Sequence, residues 1–263
     1  MKSIDLNCDM GESFGAYTLG MDAEAIRHIT SANVACGFHA GDARVMYETV
    51  RLAEKNGVAV GAHPGYPDLA GFGRRKMDCT PEEIRDYVIY QVGALRAFCD
   101  AHGMALQHVK PHGSLYNDSV GNESMLRALI GAVARVDRSL IYLALGGAQA
   151  PLVKRIAGEA GIRVAFEAFP DRAYTPEGKL APRKSPGAVI EDPEEAAARA
   201  LLMAKEGKVI ATDGTILTME IHTLCVHGDN PAAVALVKRI RSVLEKDRIR
   251  VVSLGTFIRP QGR

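Results

Sequence analysis

Residues 4–12, IDLNCDMGE, form a strand-like run that ends in an acidic turn. Polar and apolar side chains alternate along this run, so that Asp5, Asn7 and Asp9 share one face of the predicted strand. A doubly wound nucleotide-binding sheet instead places an open, glycine-rich phosphate turn after its first strand. The carboxylates of Asp9 and Glu12 occupy that position here, and the stretch therefore favours a barrel.

The rest of the chain repeats a pattern of short apolar run, polar loop and amphipathic helix, which is typical of β/α units. The predicted strands are Ile4–Asp9, Ala32–Gly37, Val58–His63, Gln107–Lys110, Leu140–Leu145, Val164–Phe169, Lys208–Ala211, Ile221–Val226 and Arg248–Leu254. Eight or nine strands that alternate with helices predict a parallel sheet, closed as a barrel or doubly wound. We predict an α/β fold, a TIM-like (β/α) barrel, in which residues 1–263 form one domain.

Composition excludes several classes of protein. The 32 Lys and Arg residues nearly balance the 31 Asp and Glu residues, so no nucleic-acid partner is expected. No apolar run approaches the roughly 18 residues of a membrane-spanning helix, and no signal peptide precedes the first strand. Five widely spaced cysteines predict reduced thiols rather than a disulfide framework. These features predict a cytoplasmic protein that does not bind a membrane.

Three helices begin at recognisable caps. Thr80 precedes Pro81 and Glu83 in a capping-box arrangement that satisfies free backbone N–H groups. Asp192 repeats this chemistry before a second helix, and Asp42 can cap the helix that follows the second strand. These positions predict where three of the loops end.

Functional side chains of a (β/α) barrel gather at the carboxyl ends of several strands. Polar groups follow six predicted strands here: Asp9 and Glu12, His39 and Asp42, His63, Lys110 and His112, Glu167, Asp171 and Arg172, and His227 and Asp229. Because all six groups come after their strands, we expect the active site at this end of the barrel.

The densest motif is HVKPHG, residues 108–113. On a strand, His108, Lys110 and His112 share one face, which places an ammonium between two imidazoles. Neighbouring cations disfavour a further positive charge, so the pKa of Lys110 is expected to be lowered, as in a proton-transfer group or an anion ligand. Arg74 could clamp a carboxylate or a phosphate, and a solvated surface charge is an equal alternative.

Metal and nucleotide sites leave weaker signals. Asp9, His39 and His63 are suitable ligands for zinc or another divalent ion, but no HExxH motif fixes their geometry. No GxxxxGK[ST] phosphate loop occurs, so that any ATP would be bound in another way or by another chain. The sequence leaves the requirement for a divalent metal open.

Seven motifs, in order along nearly the whole chain, resemble those of the LamB/YcsF family. They are residues 5–12, 33–42, 61–64, 72–74, 108–113, 171–174 and 226–229. The resemblance implies a barrel related to the carbohydrate deacetylases, and a seven-stranded, irregular barrel of that superfamily is one of the forms it can take. Pro170 and Ala181 depart from the family pattern, which puts only the local shape of their loop in doubt.

The resemblance also implies an activity, which opens the lactam of 5-oxoproline to glutamate with hydrolysis of ATP. Two further subunits, B and C, are implied as partners, and ATP could be bound by this chain or by them. A metal-dependent carbohydrate deacetylase is the alternative function, and a non-catalytic binding protein is a third.

Two sets of candidate residues follow from this hypothesis. The candidate catalytic residues are Asp9, His39, His63, Lys110 and His112. The candidate substrate-binding residues are Asp5, Asn7, Glu12, Asp42, Arg74, Glu167, Arg172 and His227. Lys110 and an arginine would offset charge on the substrate carboxylate or on a transferred phosphate. Asp9 or one of the three histidines would direct the attacking water.

Overall fold

The computed structural model describes residues 2–226 and 231–259. The strands are β1 (Ser3–Met10), β2 (Ser31–Ala35), β3 (Ala59–His63), β4 (Leu106–Val109), β5 (Ile141–Leu145), β6 (Arg163–Ala168), β7 (Lys208–Ile210), β8 (Ile216–Thr218), β9 (Thr223–Val226) and β10 (Arg250–Val251). The α-helices are α1 (Asp22–Ala25), α2 (Ala43–Asn56), α3 (Pro81–Ala101), α4 (Gly113–Ser119), α5 (Glu123–Val136), α6 (Ala150–Ala160), α7 (Pro193–Glu206) and α8 (Pro231–Lys246). Two 3-10 helices cover Ile26–His28 and Leu254–Thr256.

Parallel strands close into a barrel, as predicted. The order is β1-β2-β3-β4-β5-β6-β9, and β9 then pairs with β1 as well as with β6. The barrel therefore has seven strands and is wrapped by helices. This confirms the α/β, TIM-like barrel and its seven-stranded form.

Two of the predicted strands do not belong to the barrel. The run 208–211 forms β7, which pairs antiparallel with β8 in a separate hairpin. Its turn contains Asp213-Gly214, a common hairpin signal, and this turn chemistry reverses the chain before it can reach the barrel. The run 248–254 contributes only β10, which pairs with Ser3 and Ile4. Because β9 pairs with β1 from Asp5 onward, only the first two positions of that edge remain for β10.

The predicted helix caps are confirmed. Thr80 and Glu83 form a complete capping box, with each side chain accepting a hydrogen bond from the backbone N–H of the other residue. Asp42 accepts from Val45 N at the start of α2, and Asp192 accepts from Glu194 N at the start of α7. These caps place the loops that lead out of the barrel mouth.

The barrel interior is unusually polar in its middle layer. Both carboxylate oxygens of Asp5 accept hydrogen bonds, from Ser31 Oγ at 2.6 Å, Thr30 Oγ1 at 2.7 Å and Thr223 Oγ1 at 2.5 Å. One layer above, Asn33 Nδ2 donates to Asn7 Oδ1 at 2.7 Å. Buried polar groups are costly unless they are paired, and here they are paired with one another.

The amino-terminal end of the barrel is closed by the last 3-10 helix. Leu254 packs on the inward-facing side chains of Ile141, Leu143 and Ala165. Gly255 N also donates to Gln107 Oε1 at 2.9 Å. The open end is therefore the carboxyl end of the strands.

Among the described helices, none combines the length and the apolar character that crossing a bilayer requires.

Candidate active site

A cavity of about 970 Å³ opens at the carboxyl end of the barrel. Its floor and walls include the side chains of Asp9, Glu12, His63, Phe72, Arg74, Lys110, His112, Tyr116, Phe169 and Arg172. The long loop between β6 and α7 forms part of its rim through Lys179–Lys184. Most of the predicted catalytic residues thus meet in one cavity, as their positions after the strands indicate.

Lys110 lies at the floor of this cavity, directly after β4, and only 3% of its surface is exposed. Its Nζ lies 3.0 Å from Asp9 Oδ1 and 3.0 Å from Glu167 Oε1. It also donates to Asn7 Oδ1 at 3.2 Å and to Cys225 Sγ at 3.1 Å. One ammonium therefore joins β1, β4, β6 and β9 at their carboxyl ends.

The predicted lowering of the Lys110 pKa is wrong. Burial lowers this pKa, but Asp9, Cys225 and Glu167 outweigh burial and hold the pKa well above its usual value. The expected imidazolium neighbours are absent, because burial and Lys110 itself lower the pKa of His108 to about 3. Lys110 is therefore a permanent cation at neutral pH.

The two carboxylates that pair with Lys110 differ in their surroundings. Burial raises the pKa of Asp9, yet His63 and Lys110 outweigh burial and hold it well below the usual range. Glu167 has no exposed surface, and its burial raises its pKa although Lys110 opposes the shift. Tyr116 Oη donates to the second oxygen of Glu167 at 3.2 Å. Asp9 is thus the carboxylate that faces the cavity in its charged form.

Three histidines and one glutamate form a cluster beside Asp9. The ligand atoms of Glu12, His39, His63 and His112 all lie within 4.8 Å of one another. The rings of His39 and His112 stack at 3.7 Å, and His63 meets both rings edge-on. A side chain at Gly65 would place its Cβ 2.6 Å from His39 Nδ1, so the glycine makes room for this ring.

Two of the rings are oriented by backbone carbonyls. His63 Nδ1 lies 2.7 Å from the Lys110 carbonyl, and His112 Nε2 lies 2.9 Å from the Phe72 carbonyl. Carbonyl oxygens only accept hydrogen bonds, so each of these nitrogens is the protonated one of its ring. Burial, followed by the neighbouring histidine, lowers the pKa of His112 well below its usual value. Burial and His63 do the same to the pKa of His39.

Several predicted substrate-binding residues lie below the cavity or have side chains that are engaged in other contacts. Asp5 and Asn7 are fully buried in the barrel interior, below Lys110. Asp42 caps α2, and its other oxygen accepts from Gly15 N at 2.7 Å. Arg172 borders the cavity, but its guanidinium donates to the carbonyls of residues 181 and 188 within the long loop. His227 lies outside the described residues.

Some residues of the site were not among the sequence candidates. Asn33 donates to Asp9 Oδ1 at 2.9 Å, and its own Oδ1 accepts from His108 Nε2 at 2.7 Å. Asn33 in β2 is paired with Asp9 in β1, so the two side chains point to the same face of the sheet. The alternation of side chains along β2 could therefore have identified Asn33 from the sequence. Cys225 and Phe169 carry no such signal, because an apolar residue in a strand is equally typical of a core. Lys179 and Lys184 sit in the long loop, whose sequence offers no signal that separates a cavity lysine from a solvated one.

Comparison with known proteins agrees with this architecture. The sequence profile of the LamB/YcsF family matches residues 4–259. A curated relative from Pyrococcus furiosus, named as the A subunit of 5-oxoprolinase, is 56% identical over 97% of this chain and 99% of its own length. A protein of the same name from Pyrococcus horikoshii is 55% identical over the same shares. The crystal structure of a lactam utilization protein from Thermus thermophilus superimposes with a TM-score of 0.90 at 48% identity, over 97% of this chain and 100% of that one.

These matches span the barrel, the acidic first turn and the motif around Lys110. The family profile covers more than half of the chain, and the relatives are matched over nearly all of their length. The chain belongs to the LamB/YcsF family.

Proposed function

We propose that this chain is the A subunit of an ATP-dependent 5-oxoprolinase, which hydrolyses the lactam of 5-oxoproline to glutamate. One observation carries the proposal: a relative of that name matches 97% of this chain at 56% identity. ATP is the co-substrate in this proposal, and subunits B and C are the partners. The reaction takes place in the cytoplasm, where ATP is available.

The charges at the cavity suit a small anionic lactam. Arg74, Lys179 and Lys184 border the cavity, where they can attract a carboxylate or a phosphate. The charge of Lys110, in contrast, is already balanced by Asp9 and Glu167. The rim therefore supplies the attraction for the anion, and the floor supplies a fixed ammonium for the reaction.

Opening a lactam places negative charge on the former carbonyl oxygen. A preorganised cation in a buried site stabilises such charge strongly because it needs no reorganisation. Lys110 is suited to this role, since its raised pKa keeps it charged and four strands hold it in place. Asp9 faces the cavity as a carboxylate and would orient the attacking water. ATP would assist by phosphorylating the carbonyl oxygen, with ADP as the leaving group, which turns a stable amide into a better electrophile. Attack of water on that carbon would then break the C–N bond of the ring, and hydrolysis of the resulting acyl phosphate would release phosphate and glutamate.

The test measures glutamate and phosphate release from 5-oxoproline and ATP, first with this chain alone and then with candidate subunits B and C. We expect release in the complete mixture. Lys110→Met should reduce turnover by about 10²- to 10³-fold, because the stabilising cation is lost. Lys246→Met, at an exposed position at the end of α8, is the matched control and should turn over normally.

Two results would contradict the proposal. Unchanged turnover in Lys110→Met, with the variant shown to be folded by circular dichroism, would remove the role of Lys110. Absence of glutamate release in every mixture would remove the function itself. Deacetylation of an acetylated sugar without ATP would then support the alternative hydrolase.

A further inference from the structure

Two imidazole lone pairs face each other in the cluster of Glu12, His39, His63 and His112. His63 Nε2 and His112 Nδ1 lie 3.0 Å apart. The other nitrogen of each ring donates its proton to a backbone carbonyl, so neither facing nitrogen carries a proton in the neutral ring. Two acceptors at this distance repel each other unless a cation lies between them.

His39 adds a third nitrogen without a partner. The side chain has no exposed surface, and neither of its ring nitrogens has a hydrogen-bond partner among the described residues. Its Nε2 lies 3.4 Å from Glu12 Oε1, which is also buried and without a hydrogen bond among those residues. Buried polar atoms left unpaired cost about 1–3 kcal/mol each, so this arrangement calls for a bound group.

The spacing of these atoms fits a metal ion. Zinc binds histidine nitrogens and carboxylate oxygens at about 2.0–2.2 Å, which places the ligand atoms of a tetrahedral site about 3.3–3.5 Å apart. Three of the six separations are close to this value, at 3.0 Å between His63 and His112, 3.4 Å between Glu12 and His39, and 3.6 Å between Glu12 and His112, and all four ligand atoms lie within 4.8 Å of one another. We propose that Glu12, His39, His63 and His112 bind one divalent transition-metal ion of the zinc class.

A single proton pairs fewer of these atoms than a metal ion does. One added proton would join the facing nitrogens of His63 and His112 and would leave His39 and Glu12 Oε1 without partners. A metal ion accepts all four lone pairs at once. The donation of the remaining N–H of His63 and His112 to carbonyls is also the way in which proteins orient metal-binding histidines.

The ion would lie at the cavity wall, beside Asp9. Glu12, His63 and His112 border the cavity, whereas His39 lies behind them. His63 Nε2 is 3.3 Å from Asp9 Oδ2, so the cluster and the Lys110 site are neighbours. A metal here would supply a Lewis acid to molecules in the cavity. Metal binding by these four residues does not depend on which reaction takes place in the cavity.

The experiment uses the full chain, stripped with a chelator and dialysed against zinc chloride. Metal content is then measured by mass spectrometry, and affinity by calorimetric titration with Zn²⁺. We expect one zinc ion per chain. His39→Gln and Glu12→Gln should each weaken binding at least about tenfold, since even indirect partners of metal ligands contribute that much. His102→Gln, which changes a histidine at the end of α3, is the control and should bind zinc like the wild type.

Co²⁺ provides a second readout that does not depend on activity. Cobalt bound by three imidazoles and a carboxylate should show visible absorption bands that His39→Gln alters and His102→Gln retains. A wild-type protein that retains no zinc and shows no cobalt bands would overturn the proposal. Equal zinc affinity in all variants would overturn it too, because binding would then lie elsewhere.

Discussion

The sequence predicted the position of Lys110 correctly but not the direction of its pKa shift. Its place after a strand, among histidines, predicted that it would lie in the site, and the cavity contains it. The pKa expectation failed because the sequence shows only neighbours along the chain. The groups that control Lys110 come from β1, β6 and β9, which are distant in sequence. Charge states in a barrel are therefore set by contacts that spacing alone does not reveal.

Asp5 should make stability depend on pH in mildly acidic solution. Burial raises its pKa from 3.8 to about 6, despite hydrogen bonds from Ser31, Thr223 and Thr30. Between these values the unfolded chain releases the proton and the folded chain retains it, so stability falls as pH rises. The shift corresponds to at most about 3 kcal/mol lost between pH 4 and pH 7.

The measurement compares the free energy of unfolding of wild type and Asp5→Asn in urea across this pH range. The amide cannot ionise, so the wild type should lose stability relative to the variant as pH rises. Asp78→Asn, at an exposed position, serves as the control and should track the wild type. Parallel curves for wild type and Asp5→Asn would show that Asp5 does not titrate in this window.

Strands and helices were more predictable from sequence than charge states. The first six predicted runs correspond to β1 to β6, because each contains the apolar residues of a buried strand and five of the six end in, or are followed by, polar side chains. The hairpin of β7 and β8 was missed, since its first strand has the apolar character of a barrel strand and only the Asp213-Gly214 turn distinguishes it. Local chemistry therefore predicts the elements, while the turns decide which sheet an element joins.

Gly61 illustrates how tightly two strands of the barrel approach. A Cβ at Gly61 in β3 would lie 2.0 Å from His108 Nε2, the atom that contacts Asn33. Gly61→Ala should lower the free energy of unfolding by at least about 2 kcal/mol, because the imidazole must leave its place in the barrel.

Gly93 is the matched control for this substitution. It lies in the middle of α3 with open space where a Cβ would be added. Gly93→Ala should raise the free energy of unfolding by about 0.5–1 kcal/mol, since alanine loses less conformational freedom in a helix. Denaturant unfolding of both variants checks the pair, and equal effects of the two substitutions would contradict the close contact at His108.

At the scale of the whole molecule, the sequence predicted a barrel but could not predict which strands pair to close it. The runs and their polar ends indicated a barrel, but not that β9 would pair with both β6 and β1. That pairing joins residues 5–8 to residues 223–226, and no local signal specifies so distant a contact. The family resemblance named the seven-stranded form, which the residues alone left open.

The same closure predicts cooperative unfolding of the full chain as one domain. The first strand pairs with β9 and β10 near the other end of the chain, so neither half can complete the sheet alone. Far-ultraviolet circular dichroism and tyrosine fluorescence should therefore report coincident transitions in urea. Two separated transitions would contradict the one-domain prediction.

Leu254 and its 3-10 helix turn the barrel into a blind-ended tube. Within the described residues, a small molecule held near Lys110 exchanges with bulk solvent through the mouth. Substrate and product then enter and leave through the same opening, and the product must dissociate before the next substrate molecule can bind. Because substrate and product use the same opening and the same cavity, the product competes directly with the substrate for binding.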